Sequence, residues 1–345
     1  MRSKLHLFSY NRAVPRDYVP QLATLVKTPP QGEEWWHEIK FDGYRIGCRV
    51  RNGSVTLISR NGKDWTANFP EIVAAVGKLR MHDTLLDGEV AAVLADGRTS
   101  FQALQNVLHR SDGKATVVYF VFDLLRHDSE NLERLPLTQR NARLRQVIRP
   151  QRKGRIRLSE HIEGRGDEIL QHACAAGLEG IISKRADRPY FHGRNSDWVK
   201  TKCLSRQELV IGGFTDPEGT RAGLGALLLG YYDAGRLIFA GKVGTGFTQK
   251  VAADLRQLLD RMVQTRSPYD VQPPRAIAKR AHWVTPNLVC EVSFTEWTTD
   301  GMIRHPVFHG IRQDKRARDV RRETAASPAE SQVLPPAKRR KATRR

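Results

Sequence analysis

Residues 1–34 carry Pro15, Pro20, Pro29 and Pro30 and few periodic apolar positions, and read as an extended lead-in; from Trp35 the pattern turns to strands. Tyr44–Val50 and Val55–Ser59 flank Asn52-Gly53, the residue pair that suits the positive φ angles of a tight hairpin turn. Leu85–Leu94 and Val117–Phe122 read as further strands. Leu135–Val147 and Asp167–Ala176 read as helices, the second running to Gly177, where a helix exit favours glycine. Strands return at Gly180–Lys184 and Trp198–Lys200.

A second strand-rich block begins near Glu208–Phe214 and continues, after a loop rich in Gly, Asp and Pro, with Ala226–Tyr232 and Arg236–Ala240. A helix from about Thr248 shows Val251, Leu255, Leu258, Leu259 and Met262 on one face, and Leu288–Phe294 is again a strand. Several strands and one helix in roughly 110 residues predict a small barrel of the OB kind. The expected organisation is α+β: residues 1–205 as antiparallel sheets with helices, 206–318 as an OB-fold barrel, and 319–345 as a disordered basic tail. In that tail Pro328, Pro335 and Pro336 accompany Lys338-Arg339-Arg340-Lys341. No internal repeat is visible.

Composition narrows the class. Hydrophobic residues at 40% and charged ones at 27% exclude wholesale disorder and a fibrous repeat. No stretch approaches the roughly 18 apolar residues of a membrane span, and Met1–Leu7 lacks a signal-peptide core, so a cytoplasmic protein is expected. Fifty-seven Lys and Arg against 37 Asp and Glu leave a net +20. Ten basic and three acidic side chains fall in residues 316–345, so +7 lies there and +13 on the body. A polyanionic partner is the expectation, although charge alone does not separate nucleic acid from an anionic membrane. Cys48, Cys174, Cys203 and Cys290 are scattered with no C-x-x-C pair, which argues against a zinc ribbon; a cytosolic setting argues against disulfides. His82, His109, His127, His161 and His172 show no ligand spacing and read as surface or core residues.

The chemically informative segment is Glu38-Ile39-Lys40-Phe41-Asp42-Gly43-Tyr44-Arg45. At strand period, Glu38, Lys40 and Asp42 share a face; with Ile39 and Phe41 turned to the core, those three point together into a cleft. A lysine held in that way is a candidate nucleophile, against the plainer reading of a surface salt-bridge ladder. Six further motifs follow in order: Ser59-Arg60-Asn61-Gly62, Leu86-Asp87-Gly88-Glu89, Phe122-Asp123-Leu124-Leu125, Glu179–Lys184, Trp198–Lys202 and Arg312-Gln313-Asp314-Lys315.

Taken in sequence, these motifs resemble those of the covalent nucleotidyltransferases, specifically ATP-dependent DNA ligases. Gly212–Thr215, Gly241–Phe247, Phe294–Thr298 and Arg304-His305-Pro306 are similar to the ligase module of the bacterial ligase D type used in non-homologous end joining. The resemblance covers roughly residues 15–318 and implies an ATP-grasp-like adenylation domain ahead of the barrel. It further implies that Lys40 attacks the α-phosphorus of ATP to give lysyl-AMP, that the AMP passes to the 5′-phosphate of a nick, and that the 3′-hydroxyl displaces it.

On the same resemblance, Glu38 accepts from the adenine amino group and Arg45 holds ribose or phosphate. Arg60 grips a phosphate, Glu89 bonds the ribose hydroxyl, and Phe122 stacks on adenine, with Phe120 as its equally apolar rival. Lys184 belongs with the nucleotide-binding residues, and Asp123 reads as a structural partner. Glu179 is the metal ligand for Mg²⁺ or Mn²⁺, with Glu89 a second candidate; Glu179 capping a turn after Gly177 is its plainer reading. Lys200 and Lys202 contact the α-phosphate. Arg304, Arg312 and Lys315 reach the ATP pyrophosphate only if the barrel closes over the first domain, which implies a hinge.

The implied partners are nicked or broken duplex DNA and a Ku-type end-binding protein, for a monomer in the cytoplasm at the nucleoid. Rival readings are an mRNA capping guanylyltransferase, an RNA ligase, or a noncatalytic OB-type nucleic-acid-binding protein whose transferase half has decayed. Only 39 residues precede Lys40, so a stand-alone ligase or ligase fragment is expected, without a large N-terminal DNA-binding domain or polymerase and phosphoesterase modules.

Overall fold

In the computed structural model, which describes residues 18–108, 115–149, 154–217 and 223–326, the Asn52-Gly53 turn forms as expected, with φ of 49° and 74°. The chain runs β1 (Gln21–Leu25), β2 (Trp35–Ile39), β3 (Gly43–Arg51), β4 (Ser54–Ser59), α1 (Pro70–Gly77), β5 (Thr84–Val93), α2 (Phe101–Leu108), β6 (Thr116–His127), β7 (Glu130–Asn131), α3 (Leu137–Val147), β8 (Ile156–Leu158), β9 (His161–Glu163), α4 (Gly166–Ala175), β10 (Gly180–Arg185) and β11 (Gly193–Lys202). It continues with β12 (Ser205–Thr215), β13 (Ala226–Asp233), β14 (Arg236–Val243), α5 (Gln249–Asp260), β15 (Val263–Gln264), α6 (Arg275–Ala278), β16 (Ala281–Phe294) and β17 (Val307–Arg312). Among the described residues, no helix is long and apolar enough to cross a membrane.

Three sheets result among the described residues. One is ordered β1-β11-β10-β2-β9, the second β4-β3-β5-β6-β7 with β8 on β6, and the third β14-β13-β12-β16-β15 with β17 on β16. Antiparallel pairing dominates, but β1 lies parallel to β11 and β8 parallel to β6, so the first two sheets are mixed rather than purely antiparallel. Parallel pairing needs long connections, and both pairs are separated by helices and other strands in the chain.

The second sheet is buried on both faces, which explains why β5 and β6 read as almost unbroken apolar runs rather than alternating ones. On one face Tyr44, Ile46, Leu86 and Tyr119 pack with Trp65, Phe69, Phe101 and Leu104. On the other, Leu85, Phe122 and Leu125 meet Trp198 of β11 and Tyr190 of the connection between β10 and β11. The third sheet encloses its own core of Leu209, Ile211, Leu227, Leu229, Leu255 and Leu259, with α5 capped by Thr248. At Gly43 a Cβ would stand 2.2 Å from the Val90 carbonyl oxygen, so only glycine lets β3 approach β5 at the point where the chain leaves Lys40.

Several expectations are corrected. β2 ends at Ile39, and Ile39 is 43% exposed; it lines the cleft instead of filling the core, because Lys40–Asp42 is a connection between two sheets and not a continuing strand. Phe41 packs on Phe120 with ring centroids 4.0 Å apart.

Cys174 and Cys203 form a disulfide with Cα atoms 5.3 Å apart. The pairing follows from α4 packing on β10, whose antiparallel neighbour β11 ends just before Cys203, a relationship that sequence spacing does not encode.

Residues 319–326 belong to the folded body: Val320 is fully buried, and Ala326 pairs with Val26. The remainder of the expected tail, 327–345, lies outside the described residues, as does His109.

Candidate active site

A cleft between the first two sheets and the third is walled by Glu38, Lys40, Asp42, Arg45, Arg60, Glu89, Phe122, Glu179, Lys184, Lys200, Lys202, Arg312 and Lys315. It encloses a cavity of about 190 Å³. Thirteen positions scattered over the chain thus converge, because β2, β10 and β11 are neighbours in one sheet, β3, β5 and β6 in another, and β17 closes from the third. Arg304 does not join them: it is 57% exposed and paired with Glu296 at 2.9 Å. The turn that carries it is held to the third sheet at Thr295 and Glu296, away from the cleft.

Lys40 Nζ donates to Glu179 Oε2 at 2.6 Å. Burial lowers the lysine pKa, but the Glu179 carboxylate, with Glu291 and Glu89, outweighs it and raises the pKa above the ordinary value. Burial opposes the charge on Glu179 as well, yet Lys40, Arg206 and Lys202 bring its carboxyl down to about 2. Glu89 has the opposite balance: burial exceeds the pull of Lys40, Arg45 and Arg312, and its carboxyl rises to about 7. Asp42 rises to about 6, again by burial, against Arg206.

Glu38 is engaged from both sides, accepting from Lys184 Nζ at 2.5 Å and from Ser159 Oγ at 2.6 Å. Burial pushes the Glu38 carboxyl up and the Lys184 ammonium down. The Phe122 ring carries the Lys184 ammonium 4.2 Å and the Arg45 guanidinium 4.3 Å from its centroid. Phe120, its rival, lies outside the cleft lining. Arg45 is bound at both Nε and Nη2 by the buried Asp87, each at 2.6 Å, and Asp87 also accepts from Tyr18 and Tyr190. Asp123 is wholly buried and anchors α3 through two bonds from Arg140 at 2.7 and 2.8 Å.

Residues at the end of the third sheet meet the second sheet directly. Arg312 donates to the Gly43 carbonyl, to Glu291 and twice to Asp314, and lies over the rings of Tyr44 and Phe101. Lys315 reaches Glu208 at 2.8 Å, and Arg60 lies 3.2 Å from Glu208 and 3.1 Å from Asp314. Gln105 bridges Tyr44 and the Ile311 carbonyl. Arg312 and Lys315 therefore line the same cavity as Lys40.

Residues not singled out from sequence contact those that line the cleft. Arg206 lies 2.8 Å from Asp42 and from Glu291, off the line of a hydrogen bond, so these contacts are ionic. Glu323 binds Lys200 at 2.6 Å and Lys202 at 2.7 Å. Glu208 and Glu291 lie within expected strands, but strand periodicity gives no signal for which partner a side chain meets on another sheet.

The donors facing the cavity near Lys40 are carboxylate oxygens, which suit a hard divalent cation. Among the described residues no cluster of three or more His, Cys, Asp or Glu is poised to hold a metal, so Glu179 would be one ligand among phosphate and water oxygens, as is usual for Mg²⁺.

Comparison with known proteins agrees in both halves. A family described as the ATP dependent DNA ligase domain matches residues 20–202, and one described as the ATP dependent DNA ligase C terminal region matches 220–315. The chain is 41% identical over 318 residues to the multifunctional non-homologous end joining protein LigD of Pseudomonas aeruginosa, covering 91% of this chain and 38% of that protein. It is 33% identical to a DNA ligase of Pyrobaculum calidifontis, covering 82% of this chain and 54% of the other. It thus spans only about two fifths to half the length of these relatives. The solved mycobacterial DNA ligase D complexed with ATP and MES superposes with a TM-score of 0.66 at 32% identity, covering 92% of this chain and all of that one. The chain belongs to the ATP-dependent DNA ligases and is similar to those of the ligase D type.

Proposed function

We propose that the chain itself seals 5′-phosphate/3′-hydroxyl breaks in duplex DNA through a lysyl-AMP intermediate on Lys40. The observation that carries this reading is the convergence of Lys40, Glu179, Lys200, Lys202, Arg312 and Lys315 on one cavity. Deprotonated Lys40 Nζ attacks the α-phosphorus of ATP; an N–P bond forms, the α–β phosphoanhydride breaks, and pyrophosphate leaves. A 5′-phosphate oxygen of DNA then takes the adenylyl group and returns Lys40 as a free amine. Attack by the 3′-hydroxyl on the 5′-phosphorus finally makes the phosphodiester and expels AMP.

Lys200 and Lys202 neutralise the α-phosphate, while Arg312 and Lys315 orient the pyrophosphate. Arg60 holds a phosphate, Glu38 and Lys184 with Phe122 form the adenine end, and Glu89 takes the ribose. Arg45, locked by Asp87, orders the floor of that pocket. A divalent metal, Mg²⁺ or Mn²⁺, held by Glu179, would screen phosphate charge and withdraw Glu179 from the Lys40 ammonium.

In this reading residues up to about 205 form the adenylation domain, and the unit from about 206 is an OB barrel that hinges open to admit DNA. The protein acts as a monomer in the cytoplasm at the nucleoid, on ends presented by a Ku-type partner. The test is sealing of a singly nicked duplex with ATP and Mg²⁺, compared with a nicked RNA duplex. Joined DNA supports the reading, and preferential joining of RNA contradicts it.

A further inference from the structure

The cations assigned above to ATP phosphates are already paired with carboxylates: Lys315 and Arg60 with Glu208, Arg312 with Asp314, and Lys200 and Lys202 with Glu323. Glu208 and Asp314 belong to β12 and to the turn leaving β17, within the barrel unit. Glu323 comes from a segment of neither helix nor strand, laid from the third sheet to the first. At one end Val320 is buried with Tyr232 and Leu237, and its carbonyl accepts from the Tyr232 N–H. At the other, the Ala326 N–H donates to the Leu25 carbonyl of β1. Between them Gln207 holds the backbone, donating to the Arg321 carbonyl and accepting from the Glu323 N–H.

The two Glu323 oxygens each take one ammonium, at 2.6 and 2.7 Å. Two acceptor oxygens on one central atom, one to each of two co-facial lysines, is also what two non-bridging oxygens of a phosphate present. The lysine side chains are 14% and 10% exposed, so without an anion between them two ammonium groups would be buried side by side. Carboxylate and phosphate cannot both occupy that place, since two anions at this distance in a poorly solvated site repel strongly.

We propose that Glu323 is a resident phosphate surrogate: residues 320–326 form a strap that occupies the Lys200–Lys202 site and leaves it when the α-phosphate of ATP enters. This rests on the assignment of Lys200 and Lys202 to that phosphate. The strap supports the empty site, keeping the lysine pair in place, and its displacement couples nucleotide entry to release of the barrel from β1. Binding must compete with it, so the apparent affinity for ATP is lowered by the fraction of time the strap is in place. A strap seated nine-tenths of the time weakens ATP about tenfold.

The test uses the whole chain carrying Lys40→Ala, so that no molecule is adenylylated, and measures ATP binding with Mg²⁺ by calorimetry. Adding Glu323→Gln, which keeps the side-chain shape, or Glu323→Ala is expected to tighten ATP binding about tenfold. In chains with Lys40 intact, the same two changes are expected to leave label transfer at saturating ATP no slower. Unchanged or weaker ATP binding by both variants, or slower labelling at saturation, overturns the surrogate while leaving the ligase reading intact. If the Lys40→Ala chain does not bind ATP and the chain with Lys40 intact is not labelled, the ligase reading fails, and the proposal falls with it.

Discussion

Lys40 Nζ and Glu179 Oε2 lie 2.6 Å apart with Glu179 almost wholly buried, so the proposed nucleophile is stored as an ammonium. Attack needs the neutral amine. Because the Lys40 pKa is raised, lysyl-AMP formation is expected to climb with pH, about tenfold per unit while Lys40 remains mostly protonated. Glu179→Gln removes the principal anion beside it and is expected to move the rising limb to lower pH while reducing the maximal rate. Single-turnover label transfer from α-labelled ATP between about pH 6 and 9 checks this. A flat parent profile, or a limb unmoved by the substitution, contradicts it.

Lys315 and Arg312 are expected to separate the first chemical step from the last. Removing Lys315 leaves Glu208 still beside Arg60, so Lys315→Ala changes the pyrophosphate end with little effect on folding. It is expected to slow lysyl-AMP formation by about 10² or more and to spare sealing of a nick supplied already adenylylated. Lys200→Ala is expected to impair both. Arg312→Ala leaves the buried Asp314 and Glu291 short of a partner, so it costs stability as well as rate. Equal loss in both assays for Lys315→Ala assigns it to DNA binding instead.

The Glu38–Lys184 pair, 6% and 2% exposed, supports from within the end of the cleft proposed to take adenine. Lys184→Met strands a buried carboxylate and is expected to destabilise the chain by about 3–5 kcal/mol where that carboxylate is ionised. Glu38 already has a raised pKa, and losing Lys184 raises it further. Its protonated form is therefore favoured in the fold, so the loss is full at alkaline pH and shrinks as pH falls through the folded pKa. Urea unfolding of the parent and variant at about pH 8 and pH 5 measures the difference. A loss equal at both values contradicts the pairing.

Much of this site was legible because its chemistry is local in the chain. Lys40 and Glu38, Lys200 and Lys202, and Arg312 and Lys315 each sit a few residues apart on one element or its exit. The hairpin at Asn52-Gly53 and the strand carrying Leu86–Glu89 were equally plain, since turn residues and apolar runs act over short distances. Glu323 and Arg206 were not legible, because each is defined by what it meets more than a hundred residues away or across the two units. Ile39 was misread because strand alternation was carried through Lys40, where the chain crosses from one sheet to another. Arg304 lay close to motif residues in sequence, but the turn carrying it is pinned to Glu296.

The cysteines were misread for the same reason, and they are easily checked. Cys48 and Cys290 are buried free thiols, while Cys174 and Cys203 are bonded to each other. Alkylation in denaturant without reductant is expected to modify Cys48 and Cys290 alone, and after reduction all four. Four modifications before reduction would contradict the Cys174–Cys203 bond.

The central claim is that Lys40 carries AMP. The most direct measurement is the intact mass of the chain after incubation with ATP and Mg²⁺, with the modified peptide sequenced. The predicted result is an increment of one AMP on Lys40 that pyrophosphate removes, and none in Lys40→Ala or in Lys40→Arg, whose guanidinium does not deprotonate. An AMP increment on another residue, or one that survives in Lys40→Ala, would contradict the account.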